Sequence, residues 1–140
     1  MRNPIPNLYV AAANEVRHIG GGFDIIIDCT SEGVVHQWTD RAVHCPPTGS
    51  NDHQWTEEDL DMIVGLVEDG LVENQRVLVH CNRGVSRSTT AVAAVLLALG
   101  EVRSAHAAVE MAKDPTRQPV GTSMASLTKW WAAKNQPTLF

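Results

Sequence analysis

The chain contains 140 residues, which suits one domain over residues 1–140 and is enough to form a hydrophobic core. A hydrophobic content of 44% is normal for a globular protein, and a net charge of −5 at pH 7 disfavours a nucleic-acid or anionic-membrane surface. Residues 91–99 are apolar but too few to span a bilayer, residues 1–6 do not resemble a signal peptide, and the three cysteines lack metal-ligand spacing. We therefore expect a cytoplasmic protein with reduced thiols.

The first part of the chain alternates predicted strands with one predicted helix. Residues 1–7 form an extended lead-in, residues 8–10 a strand and residues 11–19 a short helix that a run of three glycines ends. The contiguous isoleucines within residues 23–28 predict a strand covered on both faces, as in a parallel or mixed α/β sheet. Residues 41–45 are a further predicted strand, ended by two prolines.

A polar loop over residues 46–55 then precedes an amphipathic helix. Thr56 and Asp59 predict a capping box at the start of this helix, because a hydroxyl and a carboxylate three residues apart satisfy each other's backbone N–H groups. Apolar side chains recur behind it at steps of three and four residues, and Gly70 is a predicted interruption near its end.

The last part of the chain is predicted to be helical. Ser104 caps a helix that runs to residue 111, Gly121 keeps the next stretch irregular, and residues 123–133 form the final helix. Strands that alternate with helices, followed by helices alone, predict an α/β fold. Its central sheet is mostly parallel or mixed, with about four to five strands, and helices cover both faces. The four tryptophans are expected to pack in or against the core.

The most informative stretch joins a strand to a buried helix. Residues 76–79 are a β-branched apolar run, and from Arg87 the chain continues as an Ala- and Leu-rich helix that Gly100 ends. Residues 81–86, here called the anion loop, connect the two. Because the first N–H groups of a helix lack acceptors and its dipole favours negative charge, such a turn binds an oxyanion. The planar guanidinium of Arg87 suits bidentate contact with that anion. The positive field at the helix N-terminus also stabilises a Cys81 thiolate.

The order His, Cys, five residues, Arg, Ser resembles the signature of the protein tyrosine phosphatase superfamily. Residues 80–88, HCNRGVSRS, look most like its dual-specificity branch, and residues 7–11 and 23–30 resemble two of that branch's strands. The resemblance implies a single catalytic domain over residues 1–140 with a phosphatase-like α/β fold. It also implies metal-independent hydrolysis of phosphomonoesters, with no cofactor and no metal ligands.

The resemblance also implies roles for individual residues. Cys81 is the nucleophile that forms a cysteinyl-phosphate, and Arg87 with the loop N–H groups holds the oxygens of the phosphoryl group. Ser88 hydrogen-bonds the Cys81 sulfur and eases its departure. His80 hydrogen-bonds the backbone of the loop.

Asp52 is the general acid that the resemblance implies, since it precedes Cys81 at about the family's spacing. A cap for the following helix is its structural alternative, although Thr56 is the better cap. Asp59 and Asp61 are weaker candidates for the acid because both lie on the helix. His53 follows Asp52 as a departure from the family pattern, and it is another candidate if Asp52 is not the acid.

The remaining loop residues are expected to bind phosphate. Asn82, Val85 and Ser86 contribute mainly backbone N–H groups, and Gly84 allows the backbone to approach the phosphate closely. Arg83 has two predictions that stay open. It either points outward at the rim, where it attracts acidic residues or a second phosphate, or braces the loop in an ion pair.

The expected partner is a phosphorylated protein or peptide, carrying phosphotyrosine and also phosphoserine or phosphothreonine, bound by a monomer. One alternative is a phosphatase for a lipid, inositol or sugar phosphate, although the loop lacks the Lys that related lipid phosphatases often carry. A phosphate-binding module with little catalysis is another alternative, and sulfur transfer fits the motif poorly.

Two smaller predictions concern residues outside the loop. Cys29 and Cys45 both fall at strand ends, so either is a candidate for a disulfide with Cys81 on oxidation. Arg117 is expected to be structural, because Gln118 separates it from Pro119 where related phosphatases often carry an Arg-Pro pair.

Overall fold

The computed structural model describes residues 1–19, 21–33 and 41–135. The predictions for Trp38 and for the glycine at position 20 lie outside them. Within these ranges the chain forms five strands and five helices. The strands are β1 (Arg2–Ile5), β2 (Leu8–Ala12), β3 (Ile25–Asp28), β4 (Ala42–His44) and β5 (Val77–Cys81). The helices are α1 (Ala13–Ile19), α2 (Glu57–Val72), α3 (Arg87–Ala98), α4 (Ala105–Ala112) and α5 (Gly121–Lys134).

The strands form one mixed sheet in the order β1-β2-β5-β3-β4, which confirms the predicted fold class. β2, β5, β3 and β4 run parallel to their neighbours, and β1 pairs antiparallel with β2. The register places Ala12 beside Cys81 and Asp28 beside His80. Because β5 lies at the centre, its carboxyl end opens where ligands bind to α/β sheets.

Residues 2–5 of the predicted lead-in are extended as expected, but they are paired in the sheet as the edge strand β1 (Arg2–Ile5), which was not predicted. Prolines at positions 4 and 6 conceal this strand in the sequence, yet an edge strand tolerates residues that cannot donate to a ladder. Asn7 adopts a left-handed φ of 69°, which allows the tight turn into β2.

Side chains alternate along the central strands between two hydrophobic cores. Ile25 and Ile27 of β3 join the larger core, which α2, α3, α4 and α5 cover, while Ile26 points into the smaller core on the other face. Val16 of α1 closes that smaller core, so helices cover both faces as predicted. Trp55 and Trp130 are buried in the larger core and Trp131 packs against it, as expected for tryptophans.

The capping box that was predicted for α2 is present. Asp59 N–H donates to Thr56 Oγ1, and Thr56 N–H donates to Asp59 Oδ2. Gly70, however, does not interrupt the helix. A Cβ at this position would lie 2.7 Å from Ile25 Cδ1, so the glycine allows α2 to pack closely against β3.

The other helix ends follow the sequence with one exception. Gly100 follows α3 with a φ of 75°, and the Ser104 hydroxyl accepts from Ala107 N–H at the start of α4. The prediction that Gly121 is irregular is wrong, since α5 already begins there. Val120 N–H donates to Ser86 Oγ (2.9 Å), which ties the start of α5 to the anion loop.

Candidate active site

The anion loop has the predicted strand–loop–helix geometry. Cys81 is the last residue of β5, and Arg87 is the first residue of α3. Both side chains are largely buried, with exposed fractions of 2% and 8%. The loop therefore turns over the N-terminus of α3, where the helix dipole and free backbone N–H groups favour an anion.

Ser88 lies directly beside the Cys81 sulfur. The two side chains are 3.2 Å apart at Sγ and Oγ, and both are buried. Either atom is able to donate when the sulfur is a thiol, but only the hydroxyl donates when it is a thiolate. The structure therefore places the Ser88 hydroxyl at the predicted position, within hydrogen-bond distance of the sulfur.

Arg87 is held at one edge by a residue that the sequence did not indicate. Its Nη1 donates to Ser31 Oγ (2.9 Å), which lies just after β3. Because a guanidinium has five N–H donors in a fixed plane, a contact at one edge orients the group and leaves the other donors available.

Gly84 packs closely against the backbone of the neighbouring strand β2. Its φ is 67°, and a Cβ there would lie 3.0 Å from both Ala11 C and Ala12 N. The missing side chain therefore lets the loop pack on the backbone of β2. This contact and the positive φ account for a glycine here, and the approach to phosphate stays a prediction.

His80 is fully buried on β5, across from Asp28 on β3. Its Nε2 lies 3.8 Å from Asp28 Oδ1, and the same carboxylate oxygen accepts from Thr30 N–H and Thr30 Oγ1. Asp28 and Thr30 are thus polar residues below the loop that the sequence analysis did not single out. Little in the sequence indicates a role for them, because two polar residues at the end of a strand are common.

A cleft of about 860 Å³ opens above Cys81 and Arg87. The rest of its wall consists of four loop residues and six residues from other segments: Asn82, Arg83, Val85, Ser86, Ala12, Asn14, His53, Arg117, Gln118 and Val120. Arg83 and Arg117 are exposed at its rim. The cleft therefore combines a buried cysteine with three arginines.

Comparison with known protein families identifies the class of protein that carries this arrangement. The sequence profile described as "Dual specificity phosphatase, catalytic domain" matches residues 8–131. The chain belongs to the dual-specificity phosphatase family. The match includes every residue that lines the cleft and leaves out only β1 among the strands.

Individual relatives of this dual-specificity phosphatase domain agree with that assignment. The 123R protein of Invertebrate iridescent virus 6, which bears the name of a tyrosine phosphatase, is 32% identical over 98 residues. The matched region covers 66% of this chain and 64% of the viral protein.

Two solved structures share the fold. Human DUSP28 superposes with a TM-score of 0.79 at 17% identity, covering 96% of this chain and 97% of the other. PTPMT1, solved in complex with PI(5)P, gives a TM-score of 0.73 at 17% identity and covers 94% of both chains. At these identities the similarity establishes the fold.

The residue predicted as general acid does not line the cleft. Asp52 is exposed, whereas the next residue, His53, lies in the wall. Burial lowers the pKa of His53, the charge of Arg87 lowers it further, and the charge of Asp52 acts in the opposite direction. His53 Nδ1 is buried without a hydrogen-bond partner among the described residues. The loop thus turns His53 inward and Asp52 toward solvent.

The two other candidate acids are engaged elsewhere. Asp59 accepts hydrogen bonds from Thr48 as well as from Thr56. Asp61 accepts from Trp130 Nε1 (2.9 Å) and pairs with Lys134 Nζ (2.8 Å). Both carboxylates therefore stabilise the packing of α2, and neither lines the cleft.

The three cysteines are free and buried. Cys29 N–H donates to His80 O, so Cys29 directly follows the end of β3 and lies beside β5, one residue past the Asp28–His80 pair. Burial raises the pKa of Cys29 well above its usual value, and repulsion from the Cys81 and Cys45 sulfurs adds to this. Burial also raises the pKa of Cys45, to about 11.

The described parts of the chain show neither a metal site nor a membrane-spanning helix. Residues 1–19, 21–33 and 41–135 contain no group of three or more His, Cys, Asp or Glu side chains placed to hold a metal ion. In the same ranges, every helix is too short or too polar to cross a membrane.

Proposed function

We propose that this protein hydrolyses phosphomonoesters through a cysteinyl-phosphate, on proteins that carry phosphotyrosine and phosphoserine or phosphothreonine. One observation supports this most strongly. The Cys81 sulfur lies 3.2 Å from the Ser88 hydroxyl at the floor of the cleft, directly below the N-terminus of α3. A nucleophile that is also held in an anion site is the arrangement that attack on phosphorus requires.

In the first step the Cys81 thiolate attacks phosphorus in line with the leaving oxygen. The S–P bond forms as the P–O bond breaks, and Arg87 with the loop N–H groups binds the three remaining oxygens. Asp52 gives its proton to the leaving oxygen. For this role the 46–55 loop must bring the Asp52 carboxyl into the cleft beside His53.

In the second step water attacks the cysteinyl-phosphate. The Asp52 carboxylate takes a proton from that water, the S–P bond breaks, and inorganic phosphate leaves. The sulfur departs as a thiolate, which the Ser88 hydroxyl stabilises by donating to it. The chain needs no metal or cofactor in either step.

The cleft rim supports a phosphorylated protein or peptide as substrate. Arg83 and Arg117 are both exposed, and the arginine side chains attract acidic residues or a second phosphate around the reacting group. No ion partner for Arg83 occurs in the described ranges, which weakens the loop-bracing prediction. The lining position of Arg117 likewise favours a role at the cleft over the structural one predicted.

The fold does not separate this proposal from a lipid, inositol or sugar phosphate substrate, since PTPMT1 has the same fold and was solved with PI(5)P. The absence of Lys from residues 81–86 argues against that alternative. The presence of Cys81, Arg87 and Ser88 together argues against a module that only binds phosphate.

Turnover of p-nitrophenyl phosphate in the presence of EDTA tests the activity, with Cys81→Ser as the matched control. We expect the parent protein to turn over and the variant to be inactive. An inactive parent protein that still binds inorganic phosphate would leave only the binding module. Comparing kcat/KM for phosphopeptides, phosphoinositides and sugar phosphates then tests the substrate class, and a higher value for either non-peptide class would overturn it.

A further inference from the structure

Arg2 connects the edge strand β1 to the anion loop. Its Nη2 donates to Gly84 O (2.7 Å) and to Thr89 Oγ1 (3.1 Å), and its Nε donates to Ala112 O (2.9 Å). The side chain is partly buried. One guanidinium thus joins the loop, the first turn of α3 and the end of α4.

The contact with Gly84 O fixes the orientation of a loop peptide group. In a trans peptide the C=O and the next N–H point in opposite directions. When Gly84 O points to Arg2, Val85 N–H therefore points away from Arg2. Val85 lines the cleft, so this orientation turns its N–H toward the side where the anion binds.

This peptide is one that needs such a restraint. Gly84 adopts a φ of 67°, and glycine passes between backbone conformations more easily than any other residue. If the peptide rotated, a carbonyl oxygen would replace an N–H donor in the site and would repel phosphate. Arg2 opposes that rotation with a charge-assisted hydrogen bond.

The charge of Arg2 also acts on the nucleophile. Burial lowers the pKa of the Arg2 guanidinium, and attraction to Asp114, Glu15 and Cys81 acts in the opposite direction. The guanidinium stays protonated because arginine keeps its charge in proteins. It therefore adds positive charge behind the loop as well as a hydrogen bond.

We propose that Arg2 is a positioning residue for the active site, one that holds the Gly84–Val85 peptide so that the loop presents an N–H donor to the phosphoryl group. This inference rests on the proposed function for its effect on catalysis. Its effect on anion binding does not depend on catalysis. A contact across 82 positions of sequence is invisible in the local pattern of either segment.

Arg2→Met and Arg2→Lys test the proposal, with Asn3→Ala as the matched control. Asn3 Nδ2 donates to Ile5 O and Leu8 O, so its loss loosens the same turn and strand without touching the loop. All variants are made in the parent protein and in a Cys81→Ser background. The measurements are inorganic phosphate binding in the Cys81→Ser background, kcat and KM in the parent, and thermal unfolding of both.

We expect Arg2→Met to weaken phosphate binding by about tenfold and to raise the pH at which the acidic limb of kcat/KM is half-maximal. Arg2→Lys should recover part of the binding, because an ammonium keeps the charge but not the fork. Asn3→Ala should bind phosphate as the parent does. On adding phosphate, the Val85 amide resonance should shift downfield in the parent and not in Arg2→Met.

Two results would overturn the positioning role. One is that phosphate binding and the pH profile are unchanged in Arg2→Met. The other is that Arg2→Met and Asn3→Ala lose phosphate binding equally, which would show that Arg2 only stabilises the strand. If Arg2→Met does not fold, the Arg2→Lys variant decides by the same criteria. If the parent protein binds phosphate but does not hydrolyse esters, the proposed function fails while the binding comparison still tests Arg2.

Discussion

At the scale of single residues, the proposed mechanism needs a nucleophile that is already in place and a general acid that is not. Cys81, Ser88 and Arg87 are already placed by the end of β5 and the first turn of α3. Asp52 is exposed on a loop without regular structure. In the proposed mechanism, the nucleophile and the anion site are therefore positioned by a strand and a helix, whereas proton transfer depends on the position of a loop.

Asp52→Asn should lower turnover by about 10²-fold or more for substrates with poor leaving groups, the usual effect of losing a general acid. An activated aryl phosphate should lose less, because its leaving group needs less help. The basic limb of the pH–rate profile should flatten, since it reports loss of the acid's proton.

His53→Gln is the control for that experiment, because His53 is the neighbour that lines the cleft. It should keep the basic limb. A basic limb that persists in Asp52→Asn and disappears in His53→Gln would move the acid role to His53.

Peroxide treatment should oxidise Cys81 first and then join it to Cys29 rather than to Cys45. Peroxide converts the Cys81 thiolate to a sulfenic acid, and the Cys29 sulfur displaces water to form the disulfide. Because burial raises the pKa of Cys29, its thiolate fraction and hence the disulfide yield should rise with pH. Mass spectrometry that finds sulfinic Cys81 and no Cys29 disulfide at any pH would contradict this.

At the scale of elements, the strength of the capping box at the start of α2 depends on pH. Burial raises the pKa of Asp59, but the hydrogen bonds from Thr56 and Thr48 together outweigh burial and hold the pKa below its usual range. The folded state therefore stabilises the carboxylate. This stabilisation is fully present above about pH 4 and is lost as the pH falls through the folded-state pKa.

Asp59→Asn should accordingly lower the free energy of unfolding by about 1–3 kcal/mol at pH 7, and the difference from the parent should shrink below about pH 4. Urea unfolding at both pH values measures it. Asp61→Asn is the control and should lose only about 0–1 kcal/mol, because its ion pair is exposed. A difference for Asp59→Asn that is the same at both pH values would show that the charge is not involved.

The elements that could be predicted are those whose ends carry local signals. The Thr56 box, Gly100 and Ser104 mark helix ends through hydrogen bonds or dihedral angles that only a few residue types supply. β1 could not be predicted, because Pro4 within it and Pro6 just after it argue against a strand, and only pairing with β2 reveals it. Gly70 and Gly84 are evident in the sequence, but what favours a glycine at each is a contact with β3 or β2, which lies far away in sequence.

At the scale of the whole molecule, the charge distribution sets the site apart from the rest of the surface. The net charge is −5, yet the cleft contains Arg83, Arg87 and Arg117. An acidic molecule with a basic cleft directs anionic substrates to one place on its surface. We therefore expect the arginines at the rim to attract the substrate before its phosphoryl group reaches Cys81.

Arg83→Ala should raise the KM for acidic phosphopeptides and leave that for p-nitrophenyl phosphate nearly unchanged. The effect should shrink as salt is added, because an exposed charge is screened over about 8 Å at physiological ionic strength. If Arg83→Ala instead lowers thermal stability and impairs turnover of both substrates equally, the loop-bracing role is correct.

The central claim, that phosphate passes through a covalent bond to the Cys81 sulfur, is tested most directly by mass spectrometry of protein quenched during turnover. The experiment uses p-nitrophenyl phosphate with EDTA present, on the parent protein, Ser88→Ala and Cys81→Ser. The account predicts phosphate on the Cys81 peptide, more of it in Ser88→Ala because the departing thiolate loses its hydrogen bond, and none in Cys81→Ser. Turnover without phosphate on Cys81, or phosphate on another residue, would contradict it.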